Sequence, residues 1–130
     1  PLRGLHRASD PGREEVAGRI DDRCHEMIDS GLLREVRALR GRGYGPELRP
    51  MQAIGYRHIN PVVDGVDILA NAVEAMIRDT RRFARRQRTW LRGVNEVVWL
   101  APNESSEVER RVEEFLSGPR LEPGYQSARV

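Results

Sequence analysis

Lysine is absent from this chain: all 22 basic residues are arginines. The absence excludes a phosphate-binding loop of the form G-x-x-x-x-G-K-[ST] within these 130 residues, since nothing can supply the motif's lysine. The glycines at 41, 43 and 45 do not open a helix as such a loop requires either. Cysteine is almost as scarce. Cys24 stands alone, so no internal disulfide can form, and His6, His25 and His58 fall at no metal-ligand spacing with it; a reducing compartment and no bound zinc are expected. No apolar run approaches the ~20 residues that span a bilayer, and the N-terminus lacks the charged and apolar regions of a secretion signal. These absences point to a cytoplasmic protein without a membrane partner. No internal repeat is visible. The first residue is Pro1, not methionine, which suggests a piece of something longer.

What the chain does have is concentrated positive charge. The formal net charge is only +2, yet between Arg78 and Arg92 stand seven arginines and a single acid, Asp79. Distribution matters more than the total for a nucleic-acid partner. Projected on a helix, Leu69, Ala72, Val73, Met76, Phe83, Ala84, Trp90 and Leu91 form an apolar stripe, with Arg78, Arg81, Arg82, Arg85, Arg88 and Arg92 opposite. A solvated face would intersperse glutamates four residues before arginines, and from Arg81 to Arg92 there are none. Trp90 among Arg86, Arg88 and Arg92 is the basic and aromatic mixture that single-stranded nucleic acid favours.

The length allows one modest core. Leu2 to Ala8 could be a strand. Asp10 as N-cap and Pro11 at the first helical position would open a helix to Ser30, and after Gly31 the apolar period continues through Leu32, Leu33, Val36 and Leu39 to a glycine-rich loop. Pro50 opens a short helix through Met51, Ile54 and Ile59, closed by Asn60 and Pro61. The arginine helix follows and stops at Gly93. Val97 to Leu100 reads as a buried strand. Ser106 with Glu109 makes a capping box for a last helix ending near Ser117, with Gly118 beyond it. The tail from Pro119 to Val130 is expected to be disordered. A lone strand is not stable, so the strands either pair with each other or belong to a sheet outside this chain.

Several residues look misplaced. Arg23 projects into the first helix's apolar face of Val16, Ile20, Cys24 and Met27, where it needs an anion, either a structural carboxylate or a phosphate that its planar fork would suit; snorkelling to the rim is the other option. Thr80 and Gln87 fall inside the apolar stripe of the long helix and call for specific hydrogen bonds. Gly55, inside a short helix at a cost of ~1 kcal/mol against alanine, suggests close approach by a backbone or a ligand. Gln52 and Tyr56, four apart, could present an amide and an aromatic ring to an unstacked base, or simply pack on the long helix.

In order along the chain, "RIDDRCHEMIDSGLLREVRAL", "MQAIGYR", "TRRFARRQRTWLRG" and "VVWL" resemble the C-terminal part of the tRNA dimethylallyltransferases, also called tRNA isopentenyltransferases, over about Arg13 to Trp99. The resemblance implies a P-loop-like α/β enzyme that moves a dimethylallyl group from dimethylallyl diphosphate to N6 of the adenosine immediately 3′ of the anticodon, with magnesium (Mg2+) and release of diphosphate. It implies that Arg23 binds the diphosphate. It implies too that Gln52, Ala53, Ile54, Gly55, Tyr56 and Arg57, and Arg85, Arg86, Gln87, Arg88, Thr89, Trp90, Leu91 and Arg92, line the tRNA side. Arg85 stands where the family usually has lysine, and Arg88 occupies a variable place. The family's P-loop, catalytic aspartate and anticodon-gripping insertion lie N-terminal to the matched region, and the magnesium ligands lie outside this chain with them. The expectation is therefore a mostly α-helical C-terminal portion over residues 1–118, with one or two short strands of a missing sheet, inactive alone, with the missing N-terminal half as a candidate partner. Two other classes stay open: a stand-alone RNA-binding module without catalysis, and a helical structural or regulatory domain with a solvated arginine face.

Overall fold

A computed structural model describes residues 5–95 and 97–118. The expected disordered tail at 119–130 lies outside the described residues. The described residues divide into two compact bodies, 12–90 in one and those of the two flanks, up to residue 11 and from residue 91 on, in the other.

Four helices build the first body: α1 (Arg13–Asp29), α2 (Leu32–Gly41), α3 (Tyr56–Val63) and α4 (Leu69–Arg92), with a single 3-10 turn at Arg49–Gln52 before α3. The helix at the N-terminus starts later than its sequence signals suggest. The backbone N–H of Asp10 donates to the carbonyl of Leu100 at 3.2 Å, so this residue extends a strand ladder instead of capping, and Gly12 takes the N-cap place. Gly31 separates α1 from α2 at φ +103°, a left-handed conformation that costs glycine little. Its carbonyl then accepts the Glu35 N–H at 3.0 Å, and its N–H closes on Ile28 at 3.0 Å.

Pro61 was expected to end the short helix and instead sits within α3. A proline removes one donor from the helical ladder, and the neighbouring groups are held by other means. The Asn60 amide donates to the Tyr56 carbonyl at 3.0 Å and accepts from Arg40 Nη1 at 3.0 Å. The Pro61 carbonyl takes the N–H groups of Val66 at 2.9 Å and Asp67 at 3.2 Å. Asn60 is thereby both buried and satisfied, as a buried amide must be. Arg40 also reaches Asp64 at 2.5 Å, joining α2 to the end of α3; that guanidinium holds the Asp64 carboxyl below its ordinary range.

The core is Cys24, Leu32, Val36, Met51, Ile59, Ala72 and Met76, with Ile20, Met27, Ile54 and Ile77 packed around it. Every helix of this body contributes, which is how helices too short to persist alone become stable. Burial pushes the Cys24 thiol up, so at neutral pH it packs as a small apolar group. The hydroxyl of Thr80 donates back to the Met76 carbonyl at 2.7 Å, which satisfies it within α4 itself.

In the other body β1 (His6–Ser9) pairs with β2 (Val97–Leu100) in parallel, His6 opposite Val97 and Ser9 opposite Leu100. Among the described residues the two strands are each other's neighbours, and β2 is not buried on both faces, because Trp99 is exposed. The last helix, α5 (Ser105–Ser117), has Glu104 as N-cap. Ser106 lies inside its first turn, and the carboxylate that caps the approach is Glu104, accepting the Ala101 N–H at 2.6 Å. Glu107 accepts from Arg110 at 2.5 Å and from Arg111 at 2.7 Å. These arginines draw its carboxyl from the ordinary 4.5 to about 2. A depressed carboxylate stabilises the folded form above its unfolded value and loses that contribution as pH falls through the folded one. The helical signal of α5 should therefore weaken between pH 4.5 and about 2, and Glu107→Gln should show no such step. Residue-resolved NMR of the α5 amides during an acid titration checks this, and a step that survives in Glu107→Gln would remove Glu107 as its cause.

Candidate nucleic-acid interface

On α1 the core stripe centres on Cys24, with Ile20, Met27 and Ile28 beside it. Arg23 lies about 100° round the helix from Cys24, and it is exposed. The expectation that it interrupts the buried face is thus corrected: counting from Val16 drew the stripe too wide, and the core turns toward Ile28 instead. Among the described residues Arg23 makes no hydrogen bond or ion pair. It is a solvated guanidinium, free to take an anion.

The Gln52–Arg57 segment is not one helix face. Gln52 closes the 3-10 turn, Ala53 is extended at φ −63° and ψ 152°, and α3 begins only at Tyr56. Gln52 and Tyr56 therefore do not share a side, and the Tyr56 hydroxyl is committed to the Glu35 carboxylate of α2, which raises its pKa by stabilising the protonated phenol. Gln52 and Ala53 are exposed, and Ile54 is half-buried against the core. Gly55 is buried with φ +96° and ψ −69°, a combination that residues with a Cβ rarely adopt. The close approach expected there comes from side chains: a Cβ would lie 3.5 Å from Met27 Cε, 3.7 Å from Leu32 Cδ2 and 3.8 Å from Met76 Sδ. Arg57 is exposed and reaches Asp79 Oδ2 at 3.2 Å.

Along α4 the inner face is deep only at its N-terminal end, where Ala72 and Met76 are buried. Past Thr80 the stripe comes out of the core, so that Phe83 is 59% and Trp90 69% exposed; Gln87 is exposed with them. Their expected burial is corrected, because the first body's packing partners end before the helix does. Arg82, Arg85, Arg86, Thr89 and Arg92 are exposed, while Arg88 and Leu91 are half-buried. Arg81, placed on the charged side by its spacing, pairs with Asp21 of α1 at 2.5 Å and so ties α1 to α4. No described carboxylate pairs with Arg82, Arg85, Arg86 or Arg92.

Residues 4–94 match the family described as IPP transferase. The chain belongs to that family. It is 45% identical over 112 residues to a tRNA dimethylallyltransferase of Desulfatibacillum aliphaticivorans, covering 86% of this chain and 35% of the relative. It is 47% identical over 89 residues to that of Heliobacterium modesticaldum, covering 68% and 28%. Among solved structures, the tRNA delta(2)-isopentenylpyrophosphate transferase of Staphylococcus epidermidis superposes with a TM-score of 0.78 at 31% identity, over 85% of this chain and 38% of that one. The full-length tRNA isopentenylpyrophosphate transferase of Bacillus halodurans gives 0.75 at 28%, over 88% and 38%. This IPP transferase family chain thus spans about a third of the length of the curated relatives it matches.

Among the described residues of this IPP transferase family chain, no three His, Cys, Asp or Glu side chains are placed to hold a metal ion. Among the described residues no helix is long and apolar enough to cross a membrane. Sequence reasoning overlooked His58 and Asp79. The imidazole is buried and its Nε2 lies 2.9 Å from Asp79 Oδ2, and this bond, with Arg57, holds the Asp79 carboxyl below its ordinary range. The signal was available in one form, since Asp79 is the only acid in a run of seven arginines.

Proposed function

We propose that this chain is the C-terminal, tRNA- and diphosphate-contacting part of an enzyme that transfers a dimethylallyl group from dimethylallyl diphosphate to N6 of the adenosine immediately 3′ of the anticodon. The observation that carries the reading is the outer end of α4, where Arg82, Arg85 and Arg86 have no described acid to neutralise them and Trp90 stands 69% exposed beside them. Uncompensated guanidinium groups attract phosphate and release its counterions. An exposed indole offers a surface on which an unstacked base can lie. Arg23, without a hydrogen bond or ion pair among the described residues, suits the diphosphate, whose oxygens a guanidinium can grip in pairs. The family membership and the tRNA-modifying relatives support the same reading. The diphosphate cradle, the general base and the magnesium ligands belong, in this proposal, to the part of the enzyme that the relatives carry beyond the matched region.

An anticodon stem-loop RNA should bind this chain with an affinity that falls steeply with salt. Replacing Arg85, Arg86 and Arg92 together by alanine should make the slope of log affinity against log salt shallower by roughly 2 to 3, one phosphate contact for each arginine lost. Fluorescence anisotropy over a salt series measures it. An unchanged slope in the triple variant would sink the assignment of this face to phosphate.

A further inference from the structure

His58 and Asp79 tie α3, just after the Gln52–Arg57 segment, to α4 ahead of its Arg85–Arg92 segment. The backbone N–H of Gly55 donates to His58 Nδ1 at 3.2 Å. A ring nitrogen that accepts carries no proton, so in the neutral ring the proton sits on Nε2, which donates to Asp79 Oδ2 at 2.9 Å. The chain of bonds therefore runs from the turn before α3, through the imidazole, to the one acid within the arginine run of α4. It is the reach-back half of a capping box with histidine in the place usually held by glutamate or glutamine. Arg57 Nη2 donates to the same Oδ2 at 3.2 Å. The Asp79 side chain is only 23% exposed and that of His58 6%.

We propose that the Gly55–His58–Asp79 chain of hydrogen bonds is a positioning device for RNA recognition, holding the Gln52–Arg57 turn in register with α4 and making Arg57 releasable to a phosphate. The proposal rests on the RNA reading above. A half-buried carboxylate stripped of its guanidinium is costly when nothing replaces it. Here a second donor stays in place: when a phosphate draws Arg57 outward, the Nε2–H of His58 still satisfies Oδ2. Arg57 thus waits beside Asp79 at low penalty for leaving. Gly55, in its unusual backbone conformation, keeps its N–H acceptor throughout, so the turn does not move as Arg57 does. His58 is a positioning residue in this scheme and touches no RNA.

Two measurements on the 130-residue chain test this. In the unsubstituted protein the imidazole nitrogens of His58 should show the Nε2–H tautomer by NMR, and its Nε2–H resonance should shift as anticodon stem-loop RNA is titrated in, because Asp79 exchanges two donors for one. A resonance that stays put at saturating RNA overturns the proposal, and this arm needs no variant to fold. His58→Leu should weaken RNA binding about tenfold, the size of effect that an unsatisfied buried donor brings, and make the salt slope shallower by about one, because Arg57 then stays on Asp79 instead of reaching a phosphate; His58→Gln, which keeps one acceptor and one donor, should recover most of both losses. Parent affinity in His58→Leu overturns the proposal and leaves the RNA reading standing. An unchanged slope in His58→Leu also overturns it, since Arg57 would then reach a phosphate without His58 to replace it on Asp79. Absence of salt-dependent binding by the parent chain overturns the RNA reading, and this proposal with it.

Discussion

Ile59→Ala should remove about 2 to 5 kcal/mol of stability, the range for deleting most of a buried aliphatic side chain where the cavity cannot collapse. Ile59 is 0% exposed and lies on α3, the shortest helix of its body, whose place depends on what its side chains touch. Its neighbours in the core, Val36 of α2 and Met76 of α4, are as fully buried, and each is anchored by its own helix, so little can move in to fill the gap. Domains of this size are stable by only ~5 to 10 kcal/mol in total, which makes the loss a large share of the whole. Ile59→Val should cost roughly 0.5 to 1.5 kcal/mol. Val66→Ala, at a residue 82% exposed, should stay within about 0.5 kcal/mol of the parent. Urea denaturation of the three variants with a common slope decides the matter, and a loss below about 1 kcal/mol for Ile59→Ala would mean that α3 is not held by its core face.

That core was largely legible beforehand. The apolar periods of α1, α2 and α4 gave the helices to within a few residues, since spacing of that kind fixes which side of a helix can be buried. Boundaries failed where a residue's signal was outbid by a tertiary use. Asp10 looks like an N-cap, yet its N–H serves the Leu100 carbonyl in the strand ladder. Pro61 looks like a helix stop, yet Asn60, bonded to both Arg40 and Tyr56, carries the chain through it. The strand at Val97 to Leu100 was recognised from its β-branched composition, whereas its partner was open, because pairing between segments this far apart in sequence leaves no local trace.

The site was legible in its composition and not in its wiring. An acid-poor arginine run can be counted from the sequence, and Arg82, Arg85, Arg86 and Arg92 are exposed as such a face requires. Which arginines are spoken for cannot be counted: Arg81 differs from Arg82 only in lying on the side of α4 that meets Asp21. In the same way Tyr56 looked available until Glu35, 21 residues away, took its hydroxyl. The exposure of Phe83 and Trp90 follows from where the core ends along α4, a property of the three other helices and not of this one.

The largest effect on chemistry is expected from Arg23→Ala, measured where the reaction can occur, with the N-terminal part of a tRNA dimethylallyltransferase supplied in cis or by mixing. Negative charge builds on the diphosphate as it leaves the dimethylallyl group, so a guanidinium that tightens on it acts on the barrier more than on binding. Losing one such charge-assisted contact should cost on the order of 2 to 4 kcal/mol, a fall in transfer rate of roughly thirtyfold to a thousandfold, with tRNA affinity nearly intact. Arg23 is solvated and carries no ion pair among the described residues, so its removal should leave the fold undisturbed and the melting temperature within about 2 °C of the parent. Arg23→Lys should restore only part of the rate, because a point charge cannot reproduce the two-pronged grip of a guanidinium. Single-turnover transfer from labelled dimethylallyl diphosphate at saturating tRNA separates the outcomes. A parental rate in Arg23→Ala would return Arg23 to the solvated surface of α1 and leave the diphosphate to be held by residues outside this chain.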